Sequence, residues 1–238
     1  LLYMLRWILS DSIFLKGIRQ YQKDPKISYG FATTDDLKRN LEQVSGKDLT
    51  YFFKEWFYGE GYPTYNVQWS QLGSNYVKIK MDQTTSHSSV AFFELPVALK
   101  FKNSTQEKTI IVDNKTNGEI FFKDIGFIAD TVLVDPEYWL ITRNNTTQKV
   151  IDNTGGPQEV LVFPNPVQQQ LFVYLHNYSS PSATITLYNS VGQLLFRKIL
   201  SVNGSGFIEV PFGHLARGVY FIRVASGKGV MFVKKIVK

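Results

Sequence analysis

The sequence contains no cysteine. That removes disulfide scaffolds, thiolate metal sites and cysteine nucleophiles together. No apolar run approaches the ~20 residues that a membrane-spanning helix needs. Histidine is scarce: His87, His176 and His214 are the only imidazoles, and none has a second histidine or a carboxylate at helical metal-binding spacing. HExxH, G-x-S-x-G, phosphate-binding glycine loops and dinucleotide fingerprints are all missing. A lone Ser or Asp does no chemistry without a positioned base and an orienting partner. The expectation is therefore no catalytic residue, no metal ligand and no cofactor in this chain. The net charge of +6 comes from 26 Lys and Arg against 20 Asp and Glu, scattered with no basic run longer than pairs such as Lys234-Lys235. That pattern suits solvated surface charge rather than a nucleic-acid partner.

What is present is a folded chain with 44% hydrophobic and 15% aromatic residues over 238 positions, enough for one large or two to three small domains. Residues 1–62 follow a helical period. Leu2, Leu5, Ile8 and Leu9 share a face, and Phe14, Ile18 and Tyr21 another, after a cap in Ser10-Asp11-Ser12. Thr34 is placed to cap a third helix carrying Leu37, Leu41 and Val44, closed by Ser45-Gly46. Asp48 opens a fourth with Phe52, Phe53, Trp56 and Phe57. These four aromatics spread round the helix, which predicts burial on most sides against a surface that a 62-residue piece does not offer. A chain opening in mid-helix as "LLYMLRWILS" is expected to be part of something longer.

From Pro63 the period becomes two. Val77, Ile79 and Met81 alternate with polar neighbours, as do Phe93, Leu95, Val97, Leu99 and Phe101, and further short strands follow to about residue 142. This predicts an antiparallel β-sandwich. Trp69, Tyr138 and Trp139 offer either a carbohydrate-stacking platform or, by default, sandwich core and strand ends. Residues 143–158 are polar and Gly-rich and read as a linker. A second all-β unit fills 159–238. The fold class is thus multi-domain α plus all-β: a small helical segment, then two antiparallel sandwiches of the immunoglobulin or fibronectin kind.

Two stretches resemble known families. "LLYMLRWILSDSIFLKGIRQY", "ATTDDLKRNLEQVSGKDLTYFFKEWFYGEGYP" and the abrupt change to sheet resemble the end of the catalytic domain of gluzincin aminopeptidases, the aminopeptidase N and leukotriene-hydrolase family. "VLVDPEYWLI" resembles the close of the β-domain that follows there. Ser10 stands where that family has glycine. The resemblance implies a parent zinc peptidase acting on peptide substrates, with its zinc ligands, general base and oxyanion Tyr all upstream of Leu1. Tyr3 lies in the helix after that Tyr, where packing is its expected role, and the upstream catalytic domain is the implied partner.

"FPNPVQQQLFVYL", "LYNSVGQLLFRK", "LARGVYFIRV" and the terminal "VKKIVK" resemble the C-terminal sorting domain of the type nine (Por) secretion system of Bacteroidetes. The residues carrying the motif are Pro164, Asn165, Pro166, Gly192, Gly218, Val219, Tyr220, Lys234 and Lys235. The resemblance implies export across the outer membrane through its translocon, to the cell surface or medium. Taken together, the chain is expected to be the C-terminal part of a secreted zinc aminopeptidase, itself inactive. The alternative is a non-enzymatic surface module that binds glycan or protein through its β-sandwich.

Overall fold

The computed structural model describes residues 1–150, 158–167, 169–202, 204–227 and 229–238. They fall into two compact units, Leu1–Val150 and Ile151–Lys238.

The first unit opens with helices α1 (Leu2–Leu9), α2 (Asp11–Lys23), α3 (Thr34–Ser45) and α4 (Thr50–Phe53), the last continuing as a π-helical turn, Lys54–Tyr58. Ser10 joins α1 to α2 at φ 72° and ψ 155°, in backbone space that favours glycine. The third helix is capped one residue earlier than expected. Thr33 Oγ1 accepts the Asp36 N–H while the Asp36 carboxylate accepts the Thr33 N–H. Such a reciprocal box needs an acid three residues past the cap, and from Thr34 that position is Leu37. Gly46 ends the helix at φ 67°, as its position predicts.

Seven strands follow: β1 (Pro63–Leu72), β2 (Tyr76–Thr85), β3 (Leu95–Lys102), β4 (Glu107–Asn114), β5 (Glu119–Asp124), β6 (Thr131–Val134) and β7 (Thr146–Lys149). They form sheets ordered β5-β2-β1-β7 and β4-β3-β6. Val77, Ile79 and Met81 from one sheet meet Val97, Leu99 and Phe101 from the other in a shared core, with Trp69 edge-on to Phe101 at 5.4 Å. Alternation placed these residues correctly because each strand buries one face.

Three expectations change here. The helices form no separate body: Met4, Leu5, Leu41, Phe52 and Trp56 join the same core as the sandwich. The aromatic helix finds its partner within this chain, with Trp56 packed on Phe93 at a ring separation of 4.5 Å and the Trp7 indole N–H bonded to Pro96 O at 2.8 Å. Only Phe57 and Tyr58 stay outside, 48% and 65% exposed. The expected linker also begins too early. Thr146–Lys149 runs parallel to Asn66–Trp69 as β7, the one parallel pairing among the described strands. The rest of that linker, residues 151–157, lies outside the described residues.

The second unit contains β8 (Glu159–Phe163), β9 (Gln170–Tyr178), β10 (Ser182–Asn189), β11 (Leu194–Ser201), β12 (Gly204–Pro211), β13 (Val219–Ser226) and β14 (Gly229–Val237). Their sheets are ordered β12-β9-β8 and β11-β10-β13-β14, antiparallel throughout. Leu171, Val173 and Leu175 face Ile185, Leu187, Ile222 and Val224 across its core. Both units are thus β-sandwiches, the first with helices built into its core.

Candidate functional site

In the second unit most of the residues that carry the sorting-domain resemblance converge. Pro164-Asn165-Pro166 follows β8, and the Asn165 side chain clips it to the last strand: Oδ1 accepts the Val237 N–H at 2.9 Å and Nδ2 donates to Lys235 O at 3.1 Å. One residue on, the Val167 N–H donates to Val237 O at 2.8 Å. The edge of β14 is thereby closed by a side-chain amide that mimics a strand. Lys234 reaches back to Val162 O at 3.2 Å. Val219 and Tyr220 pair with Val237 and Ile236. The Tyr220 hydroxyl donates to Ala216 O at 2.6 Å, pinning the turn before its own strand. Gly218 exchanges both backbone hydrogen bonds with Lys238.

Gly192 stands apart from this group. It occupies the β10–β11 turn at φ 81°, where the Asn189 carboxamide oxygen accepts the N–H groups of Val191 and Gln193. Sequence reasoning missed Lys238. Its ammonium donates to the carbonyls of Phe212, Gly213 and Leu215 at 2.7, 2.9 and 2.6 Å. A terminal lysine carries no motif, and the carbonyl cradle comes from a loop of ordinary residues, so no sequence signal marked it.

In the first unit the aromatic residues do not form a flat binding platform. Trp69 is 2% exposed and lies in the core, beneath the Lys149 ammonium at 4.8 Å. Trp139 stacks with Tyr3 at 4.4 Å and with Trp7 at 5.4 Å. This leaves only Tyr138 of the three well exposed. Tyr3 takes the packing role expected of it. The buried Asp135 carboxylate orders this corner by accepting the N–H groups of Trp139 and Leu140, while burial raises its pKa.

Several titratable groups take their character from their surroundings. Burial pushes the Glu55 carboxyl up to about 7, against the opposing pull of the Glu94 N–H that it accepts at 2.8 Å. Burial together with the neighbouring acids Glu55, Glu94 and Asp113 pushes Tyr51 up to about 12. Asp24 is held down near 2 by Asn40, the Lys26 N–H and Arg39. His87 hydrogen-bonds Ser89 Oγ at 3.0 Å with Glu60 at 3.6 Å, and His176 lies 3.3 Å from the Tyr174 hydroxyl. Among the described residues no three His, Cys, Asp or Glu side chains are grouped to hold a metal. No described helix is long and apolar enough to cross a membrane.

Comparison with known proteins agrees with this division of labour. Residues 161–238 match the secretion system C-terminal sorting domain, so the chain carries a type nine sorting tail that marks export across the outer membrane, to the surface or medium. Among curated proteins, the mitochondrial Aminopeptidase 2 of Saccharomyces cerevisiae is 29% identical over 133 residues, covering 52% of this chain and 14% of that protein. The Alanine/arginine aminopeptidase of the same yeast is 30% identical over 174 residues, covering 65% and 19% respectively. Aminopeptidase N of Lactococcus lactis is 35% identical over 68 residues, covering 29% and 8%. The chain resembles the C-terminal region of aminopeptidase N-like enzymes, and spans less than a fifth of each of these relatives.

Proposed function

We propose that this chain is the C-terminal part of a secreted zinc aminopeptidase. Its helix-bearing sandwich completes the peptidase body, and its second sandwich delivers the enzyme through the type nine machinery. The observation that carries this reading is the joining of two units: one similar to aminopeptidases, the other matching the sorting domain, with Asn165, Gly218 and Tyr220 paired to its last strand. Zinc and catalysis are assigned upstream of Leu1 on the resemblance to aminopeptidases, and the chain by itself is expected to show no turnover. The buried helix face supports the structural role, since Phe52 and Trp56 form part of a core rather than a cleft wall. The alternative of a glycan-gripping module loses its main support with Trp69 in the core.

The test is direct. The coding sequence ahead of "LLYMLRW" is expected to contain HExxH and a downstream glutamate, and finding an unrelated domain there overturns the peptidase assignment. Deleting residues 159–238 from the full-length protein is expected to trap it inside the cell, and continued export without them rejects the sorting role.

A further inference from the structure

The two units differ in charge. Residues 159–238 hold eight Lys and Arg against two Asp and Glu, while residues 1–158 hold eighteen of each. The chain's entire excess of +6 therefore belongs to residues 159–238.

One face of that unit organises part of the excess. On the sheet β11-β10-β13-β14, Thr186 pairs with Arg197 on one side and with Arg223 on the other. Two guanidiniums therefore share one row, their Cα atoms about 10 Å apart at the usual strand spacing. With Thr184, Tyr188 and Leu194 they line a groove of about 310 Å³. The Arg223 Nε is shielded from water with no hydrogen-bond partner. The two carboxylate side chains among that unit's described residues, Glu159 and Glu209, stand on β8 and β12 of the opposite sheet. Neither of these carboxylates serves the row, and a buried donor left unpaired is costly.

The surroundings narrow the ligand. Leu194, Ile199, Phe221 and Val233 are all exposed. Strand alternation places Phe221 and Val233 on the same face as Arg223, and Ile199 on that of Arg197. Arginine set among exposed apolar side chains is the composition of a protein interface centre. A site for free phosphate or lipid headgroups has no use for that apolar rim.

We propose that this outer face is the docking surface for an acidic protein partner, whose carboxylates seat on Arg197 and Arg223 while its apolar side chains cover the rim. The proposal rests on the sorting-tail reading and names the chemistry that such a tail presents to its receptor.

A labelled poly-glutamate peptide, titrated into the 238-residue chain and followed by anisotropy, tests the groove. R197S/R223S is expected to bind at least about tenfold more weakly. K198S/R217S, which removes the same charge elsewhere on the unit, is expected to stay within about twofold of wild type. Equal loss in both pairs, or no loss in R197S/R223S, overturns the proposal. Phosphatidylglycerol vesicles form the contrasting arm: Arg-dependent vesicle binding with Arg-independent peptide binding also overturns it. In a type nine-secreting bacterium, the chain behind a periplasmic leader is expected to lose export when residues 159–238 are deleted, and to lose about nine-tenths of it in R197S/R223S with an unchanged melting temperature. Wild-type export by R197S/R223S overturns the docking surface and leaves the sorting role standing. Export that survives the deletion removes both. Should the serine pair melt early, R197Q/R223Q keeps the aliphatic stems over Thr186 and reads the same outcomes.

Discussion

Asn165 and Val237 lie 72 residues apart in sequence and are joined by a 2.9 Å hydrogen bond, with the same Asn165 side chain donating to Lys235. One carboxamide thus supplies both an acceptor and a donor to the edge of the last strand. Asn165→Ala is expected to lower the stability of the second unit by about 1–2 kcal/mol, and Asn165→Asp, which keeps the acceptor alone, by roughly half of that. Calorimetry of the full chain separates this from the first unit's transition. Equal melting of all three proteins would show that the clip contributes nothing.

Ser10 sits at φ 72° and ψ 155° between two helices, a conformation that costs a side-chain-bearing residue about 1–3 kcal/mol. Its side chain provides no cap hydrogen bond to α2 in return. Ser10→Gly is expected to raise stability by about 1 kcal/mol, after the entropy that glycine loses on folding. Urea denaturation measures it, and a destabilised variant would disprove the strain.

Trp56 and Phe57 are neighbours with opposite fates, one in the core and one outside. Trp56→Ala is expected to cost about 3–5 kcal/mol through the cavity left against Phe93, and Phe57→Ala less than about 1 kcal/mol. Comparable losses in denaturant midpoint would mean that the π-helical turn packs differently.

Glu55 confers a pH dependence. Its carboxyl titrates near 7 when folded against an ordinary value of 4.5. Between those values the folded chain holds a proton that the unfolded chain has released, so stability falls as pH rises. The contribution is complete below about pH 4.5 and gone above about pH 7. Glu55→Gln can still accept the Glu94 N–H. It is expected to gain about 1–2 kcal/mol at pH 8, discounted for partial exposure, and little at pH 4. Parallel denaturant melts across that range check it; a constant difference between the two proteins would reject the assignment.

How much of this was legible in the sequence depended on what each element buries. Val77, Ile79 and Met81 announced their strand because one face meets the core and the other does not. β7 gave no such sign. Its residues Thr146, Thr147, Gln148 and Lys149 are all exposed. The strand is held instead by main-chain pairing with β1, by the Asn145 carboxamide oxygen accepting the Tyr65 N–H, and by Lys149 reaching Ala129 O. Backbone pairing leaves no hydrophobic pattern, so a polar stretch read as linker. The aromatic helix was legible as a buried element but not in its partner, since a helical period reports a face and not what covers it. The motif residues of the tail were legible as an ordered series. Their convergence on β14, and the Lys238 cradle that completes it, required the fold.

The Lys238 cradle also bears on the order in which the tail can form. Both backbone groups of the final residue pair with Gly218, and its ammonium ties three carbonyls of the preceding loop. The residues that lock the second sandwich are therefore the last of that unit to be made. While synthesis continues, β13 lacks its outer neighbour and Asn165 has no strand to clip. The unit gains its full set of contacts only once Lys238 has been made, so translation itself delays the closing of the domain.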